Sequence, residues 1–322
     1  MSYLEATNDL YKKAALEPDV GLCCTTNPIW QLPGLEIPKI MQEMNYGCGS
    51  TVNPSDLAQN PKILYVGVGG GMELLQFAYF NRNKGGVVGV DVLDEMLEAS
   101  RKNFLEAEKL NPWFKSEFVE LKKGDALQLP LEDSSIDVAA QNCVFNIFKA
   151  DDLKKALQEI YRVLKPGGRL VMSDPVCEQE MSKELREDDK LRAACLSGAI
   201  PLKDYIKAIT DVGFGTVEVR AKRAYRVLSP AHYNTNGLIH IESVEVCAIK
   251  DPMPPDGPCV FTGKTAIYHG KNPHFDDGAG HLLPLNQPLA ICDKTAQNLI
   301  DLGRKDIYVS ESTYHYNGGG CC

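Results

Sequence analysis

Three observations predict an α/β fold, an open parallel sheet with helices wound over both faces. Residues 63–96 read as strand, glycine loop, helix and strand, with an acid where the second strand ends. Strand-like and helix-like runs keep alternating as far as Pro175. The run K-P-G-G at 165–168 is a stop signal between a helical stretch and the next strand-like stretch.

The first unit carries the most chemistry. Ile63, Leu64, Tyr65 and Val66 lead into Gly67, Val68, Gly69, Gly70 and Gly71, and 72–80 has helical composition. Glycines let backbone approach a ligand where a Cβ would intrude. A dinucleotide fingerprint G-x-G-x-x-G needs its last glycine where Met72 stands, whereas G-x-G-x-G fits Gly67, Gly69 and Gly71. That spacing favours S-adenosylmethionine, which has no pyrophosphate to seat on a helix N-terminus. Asp91, with Val92 beside it, ends the run Val87, Val88, Gly89, Val90. A carboxylate there accepts hydrogen bonds from ribose hydroxyls.

The rest of the sheet follows in order. An amphipathic helix is predicted at 96–110 and a strand at 116–121, leading to Gly124, Asp125 and Ala126. Asp125 is either a partner for an adenine amine or a turn residue after glycine. A fourth strand at 135–143 brings Asn142 and Cys143 to the edge where ligands gather in open α/β sheets. A helix opened by acids is expected at 151–164, and a strand at 169–173 with Asp174 and Pro175 leaving it. The charged stretch 178–192 reads as one helix, a lid or a solvated connector. A helix end, glycine and strand follow at 208–219, then a strand at 243–250. The proline-rich 251–258 opens a small β-rich domain with a short helix in TAQNLIDLG. His269, His274 and His281 read as surface residues because their spacings of five and seven residues fall across loops. The expected division is an N-terminal cysteine-bearing cap at 1–60, a cofactor domain at 61–176, a substrate or lid segment at 177–250 and a smaller C-terminal α+β domain at 251–322.

Composition narrows the partners. A net charge of −9 disfavours nucleic acid and anionic membrane. The polar N-terminus shows no export signal, and no run of about 18 apolar residues occurs, so a cytoplasmic enzyme is expected, with nothing requiring more than a monomer. Eleven cysteines without a single C-x-x-C pair argue against zinc ribbons, iron–sulfur clusters and thioredoxin chemistry. Scattered thiols either converge on a soft ion or serve as small buried hydrophobes. In N-Y-G-C-G at 45–49, Cys48 stands between two glycines and is expected to expose its sulfur.

The run ALQEIYRVLKPGGRLVMSD closely resembles class I S-adenosylmethionine methyltransferases, over about 61–175. Those enzymes usually carry an acid where Tyr65 stands here. With its flanks the chain resembles the arsenite methyltransferase family from about Tyr11 to the end. Tyr46, Gly47, Cys48 and Gly49 match its Y-G-C-G element, and Asn142, Cys143, Val144 and Asn146 match N-C-V-x-N. Cys195, Leu196, Ser197, Gly198 and Ala199 match an element after the sheet, Cys259, Ala266, Tyr268 and Gly270 a C-terminal pattern, and Gly319, Gly320, Cys321 and Cys322 a terminal tail.

That resemblance implies methylation of arsenite and methylarsenite with S-adenosylmethionine, in arsenic detoxification. Trivalent arsenic is soft and pyramidal, so its ligands come from distant chain segments, and Cys48 and Cys195 are the expected pair. The arsenic lone pair then attacks the sulfonium methyl in line, without a general base. The cofactor-binding set is Tyr46, Gly67, Gly69, Gly71, Asp91, Val92, Asp125, Ala126 and Asn142. The family's third cysteine falls on Ile239 in this register, leaving Cys247, Cys259, water, hydroxide or a small thiol as the third ligand. Cys23 and Cys24 resemble the family's N-terminal cysteine. Cys24 is expected to pair with Cys48 during turnover, with glutathione or thioredoxin as reductant, and Cys321 and Cys322 either hand arsenic to the site or form an uncommitted tail. The rival readings are a methyltransferase of a small organic nucleophile, with structural cysteines, and a non-catalytic metalloid-binding protein.

Overall fold

The structure is a computed structural model that describes residues 2–19, 22, 31–316 and 318; Cys23, Cys24, Cys321 and Cys322, with the redox and hand-over roles expected of them, lie outside the described residues. Helix α1 (Tyr3–Leu16) opens with a capping box in which Ser2 and Glu5 satisfy each other's backbone N–H groups. Short helix α2 (Lys39–Glu43) follows. Then come β1 (Ile63–Val66), α3 (Met72–Phe80), β2 (Val87–Asp91), α4 (Asp94–Leu110), β3 (Val119–Lys123), β4 (Ile136–Asn142), α5 (Ala150–Val163) and β5 (Leu164–Cys177). The chain continues through α6 (Lys183–Arg186), α7 (Asp189–Ala193), β6 (Ile200–Pro201), α8 (Leu202–Val212), β7 (Thr216–Leu228) and β8 (Ile239–Ile249). It ends with β9 (Cys259–Phe261), β10 (Lys264–Tyr268), β11 (His274–Asp276), β12 (Leu282–Pro284), β13 (Pro288–Ile291), α9 (Asp293–Asp301) and β14 (Ile307–Val309).

The main sheet runs β3-β2-β1-β4-β5-β8-β7-β9, with β6 paired to β5. Strands β3 to β5 are parallel and β8 is antiparallel to β5. Strand order reverses between β1 and β4, and in such sheets the crevice above that reversal binds the ligand. The parallel strands are apolar along their length because helices cover both faces: all four residues of β1 are buried. One core layer holds Tyr65, Phe77, Met96 and Phe104, with Cys48, Cys143 and Cys195 at its rim, and the other holds Leu157, Ile160, Tyr205 and Phe214.

Several expectations shift. Helix α5 stops at Val163, just before K-P-G-G as expected, but 165–168 themselves lie within β5, where Gly167 takes φ +74°. Strand β5 also runs past Asp174 and Pro175 to Cys177, since β8 pairs with it along that whole length. The stretch 178–192 is broken into α6 and α7, each restarted by its own side-chain cap, Ser182 and Asp188. The main sheet crosses the boundaries expected at 176 and 250, because β7, β8 and β9 all belong to it. Beyond β9, a sheet of β13, β10 and β14 packs with α9 around Tyr268 and Leu299. No described helix is long and apolar enough to cross a membrane.

Candidate active site

The glycine loop lies at the floor of a cleft above the β1–β4 reversal. Gly67 has φ +80°, and a Cβ on it would stand 2.5 Å from Val144, so the loop closes on the β4 turn only with glycine there. Gly67 and Gly69 line the cleft, while Gly71 turns the chain into α3 against Phe104 of α4. Asp91 at the end of β2 accepts the N–H of Val68 at 2.9 Å and of Leu93 at 2.9 Å. Burial raises its carboxyl to about 6, and backbone hydrogen bonds oppose that rise. Across the cleft Asp125 accepts the Leu127 N–H at 2.8 Å through one oxygen, so the turn-residue reading holds for half of this carboxylate. Val92, Ala126 and Asn142 also line the cleft.

Helix α1 roofs this space with Leu4, Thr7 and Tyr11. Tyr46 joins the same wall: its hydroxyl donates to Ala14 O at 3.0 Å, and its ring meets Tyr11 edge-on at 5.9 Å. The donor set suits S-adenosylmethionine. A carboxylate at the β2 end, bare backbone at the loop and apolar walls from Val92, Met96 and Ile147 match a ribose, a carboxylate-bearing tail and an adenine face.

Three cysteines gather at the other side of Asn142. The expected exposure of Cys48 is corrected: its residue is 1% exposed, because both flanking glycines are packed tightly rather than open. A Cβ on Gly47 would lie 2.4 Å from the Asn142 amide, and one on Gly49 would lie 2.2 Å from Ser173 Oγ. Cys48 N donates to Asn142 Oδ1 at 2.9 Å, and its sulfur sits 3.4 Å from Ser173 Oγ. Cys195 comes from the segment after α7, and its sulfur is 3.2 Å from Cys143 O and 3.7 Å from the Tyr11 hydroxyl. Cys143 and Cys195 both take φ +58°, a conformation that costs a non-glycine residue about 1–3 kcal/mol and recurs at functional sites. Cys195 is anchored by Asn146, whose amide donates to Cys195 O at 3.2 Å. Gly198 lets the segment pass the Asn146 carbonyl, where a Cβ would fall at 1.7 Å.

Residues 39–229 match the methyltransferase-domain family. The chain is 30% identical over 273 residues to the arsenite methyltransferase of Aquipseudomonas alcaligenes, an alignment covering 82% of this chain and 75% of that protein. The chain belongs to the arsenite methyltransferase family. It is 33% identical over 172 residues to the mouse arsenite methyltransferase, covering 52% of this chain but 44% of that protein, and the chain therefore spans less than half the length of some relatives it matches. The crystal structure of CrArsM, an arsenic(III) S-adenosylmethionine methyltransferase from Chlamydomonas reinhardtii, has the same fold, with a TM-score of 0.61 at 23% identity over 87% of this chain and 95% of that one.

Within this arsenite methyltransferase fold the two candidates for a third ligand lie on different strands. Cys247 on β8 is fully buried between Val171 and Glu218, near Arg220, Arg169 and Asp56, and burial pushes its thiol well up. Cys259 opens β9 at the far edge of the sheet, packed with Phe261, Cys292 and Tyr316. Cys247 shares the buried cluster of Cys48, Cys143 and Cys195, and among the described residues no group of three or more His, Cys, Asp or Glu is arranged for a metal ion.

Two buried carboxylates flank the cysteine turn, and neither stood out in the sequence. Glu73, in the first turn of α3, accepts Thr51 N at 2.8 Å, Thr51 Oγ1 at 3.0 Å, Asn142 Nδ2 at 3.0 Å and the Tyr65 hydroxyl. Asp174 accepts the Tyr205 hydroxyl at 2.5 Å, Asn146 N at 3.3 Å and the Gln141 amide, while Gln141 Oε1 takes Val144 N at 2.9 Å. The tyrosine at position 65 was the available signal for Glu73, since a buried hydroxyl needs a hydrogen-bond partner close by.

Proposed function

We propose that this enzyme methylates trivalent arsenic, as arsenite and then methylarsenite, with S-adenosylmethionine as donor, and so serves arsenic detoxification. The observation that carries the reading is the attachment of two cysteines from distant segments to adjacent residues: Cys48 N on Asn142 at 2.9 Å, and Cys195 Sγ on Cys143 O at 3.2 Å. Soft trivalent arsenic prefers thiolates arriving from different directions.

In this reading Cys48 and Cys195 bind arsenic, and Ser173 Oγ, 3.4 Å from the Cys48 sulfur, supports the thiolate. When bound, S-adenosylmethionine supplies an electrophilic methyl on a sulfonium, which the arsenic lone pair takes in line. No side chain needs to remove a proton. Asp91 holds the ribose, Asp125 and Ala126 flank the adenine, and Gly67 and Gly69 bring bare backbone to the cofactor. Tyr46 and α1 exclude water from the reacting centre, and Asn142 joins the two halves of the site. Each transfer raises arsenic formally to the pentavalent state, so a two-electron reductant is required. Cys24 with Cys48, regenerated by glutathione or thioredoxin, is the proposed source.

Incubation with S-adenosylmethionine, arsenite and a thiol, followed by chromatography with mass detection of arsenic, is expected to give methylated arsenicals. Cys48→Ser and Cys195→Ser are expected to abolish them. Tight arsenite binding without methyl product would favour a metalloid carrier, and transfer unaffected by both substitutions would favour an organic substrate.

A further inference from the structure

Position 65, next to last in the first strand, is where the wider methyltransferase fold usually carries an acid, and here it holds a buried tyrosine. The Tyr65 ring packs at 5.9 Å from Phe77, and its hydroxyl donates to Glu73. Glu73 is 5% exposed and is satisfied by hydrogen-bond donors alone, four of them on two oxygens. Thr51 N–H and the Asn142 amide nitrogen can only donate, one to each oxygen, so both oxygens must accept, which a carboxylate allows and an amide does not.

The donors are not a random set. Thr51 belongs to the segment that continues from Cys48 and Gly49, and its backbone and hydroxyl both bind Glu73 Oε1. Asn142 donates to Glu73 Oε2 and to Gly49 O at 2.9 Å, while its own oxygen receives Cys48 N. Glu73 therefore fixes the cysteine loop at two points, directly through Thr51 and indirectly through Asn142. Glu73 is absent from the cleft lining, whereas the loop it holds carries the sulfur.

We propose that Glu73, oriented by Tyr65, is a positioning residue for the Cys48 thiol, so that the acid displaced from position 65 acts on the arsenic side of the site. The proposal rests on the reading of Cys48 as an arsenic ligand. In Glu73→Gln one face of the side chain becomes an NH2 that meets a donor, either Thr51 or the Tyr65–Asn142 pair, and the loop must shift. Tyr65→Phe removes one of the opposing donors, so the two substitutions act through one network and their effects do not add.

The test measures arsenite binding by equilibrium dialysis without methyl donor, S-adenosylmethionine binding by calorimetry, and steady-state KM for each. Glu73→Gln is expected to weaken arsenite at least tenfold while leaving S-adenosylmethionine affinity within about twofold. Tyr65→Phe is expected to weaken arsenite two- to fivefold, and the double variant to be no worse than Glu73→Gln alone. Equal losses for both ligands, unchanged arsenite binding, or effects that multiply in the double variant would each overturn the proposal. If Glu73→Gln does not fold, Tyr65→Phe alone decides through the same split. Wild-type protein that binds no arsenite would instead sink the reading of Cys48 itself.

Discussion

The side chain of Asn142 receives the Cys48 N–H at 2.9 Å and returns a hydrogen bond to Gly49 O at 2.9 Å. One amide at the end of β4 thus holds two backbone polar groups of the cysteine loop while facing the cofactor cleft. Asn142→Ala removes both partners and the contact to Glu73, leaving buried groups unsatisfied at about 1–3 kcal/mol each. The variant is expected to lose arsenite and cofactor affinity together, by tenfold or more, and to unfold at lower urea. Dialysis, calorimetry and a urea titration check this, and loss of arsenite affinity alone would show that the amide does not couple the two sites.

Gly49 is required by its neighbour rather than by its own torsions. A Cβ there would meet Ser173 Oγ at 2.2 Å, whereas Ser173 Cβ is 3.2 Å away. Gly49→Ala is expected to cost at least tenfold in kcat/KM for arsenite, and Gly49→Ala with Ser173→Ala to regain much of it. Steady-state methylation rates measure the pair. A double variant as poor as the single one would locate the clash elsewhere, at Glu245 Oε1, 2.9 Å from the same Cβ.

Asp91 makes cofactor affinity sensitive to pH. Burial holds its carboxyl near 6 against an ordinary 3.8. Ribose hydroxyls donate most strongly to the ionised form, so S-adenosylmethionine affinity is expected to rise as pH increases through about 6 and to fall below it. Calorimetry from pH 5 to 8 should show that step in the wild type. Asp91→Asn should bind more weakly at pH 8 with a flat profile, and a step of equal size in the variant would assign it to another group.

The sheet and the cofactor side were legible because each rests on local pattern. Gly67, Gly69 and Asp91 lie within one strand–loop–helix–strand unit, whose periodicity and glycine spacing are printed in consecutive residues. The substrate side depends on contacts across the chain, and there the sequence carried less. Cys48 looked exposed because its glycines suggested an open loop, yet those glycines exist to admit Asn142 and Ser173. Cys247 and Cys259 were candidates by type alone, because the sequence does not print the register that sets one on β8 opposite Val171 and the other on edge strand β9. Glu73 escaped notice as an ordinary first-turn acid of a helix, a position that electrostatics favours anyway. K-P-G-G read as a break because its residues disfavour helix, which is correct, but hydrogen bonds of Gly167 and Gly168 with Lys250, just past β8, keep it extended.

Asp174 supplies a stability signature of its own. It is 1% exposed, and burial lifts its carboxyl to about 7, with hydrogen bonds from Tyr205, Gln141 and Asn146 opposing the rise. When protonated it can donate to the Tyr205 oxygen, whose own proton then turns to Met172 Sδ at 3.2 Å. Between the ordinary 3.8 and about 7 the folded chain holds a proton that the unfolded chain has released. The contribution of this group to stability is therefore complete below pH 4 and is lost as pH rises through about 7. Asp174→Asn removes that dependence, although its NH2 meets a donor from Asn146 or Tyr205 at every pH. The variant is expected to be less stable than the wild type at pH 5 and to close part of that gap by pH 8. Urea unfolding of both proteins at unit intervals of pH measures the difference, in which the titrations of all other groups cancel. Parallel profiles would mean that Asp174 stays ionised in the fold and that the turn carrying Cys143 is held by a charge.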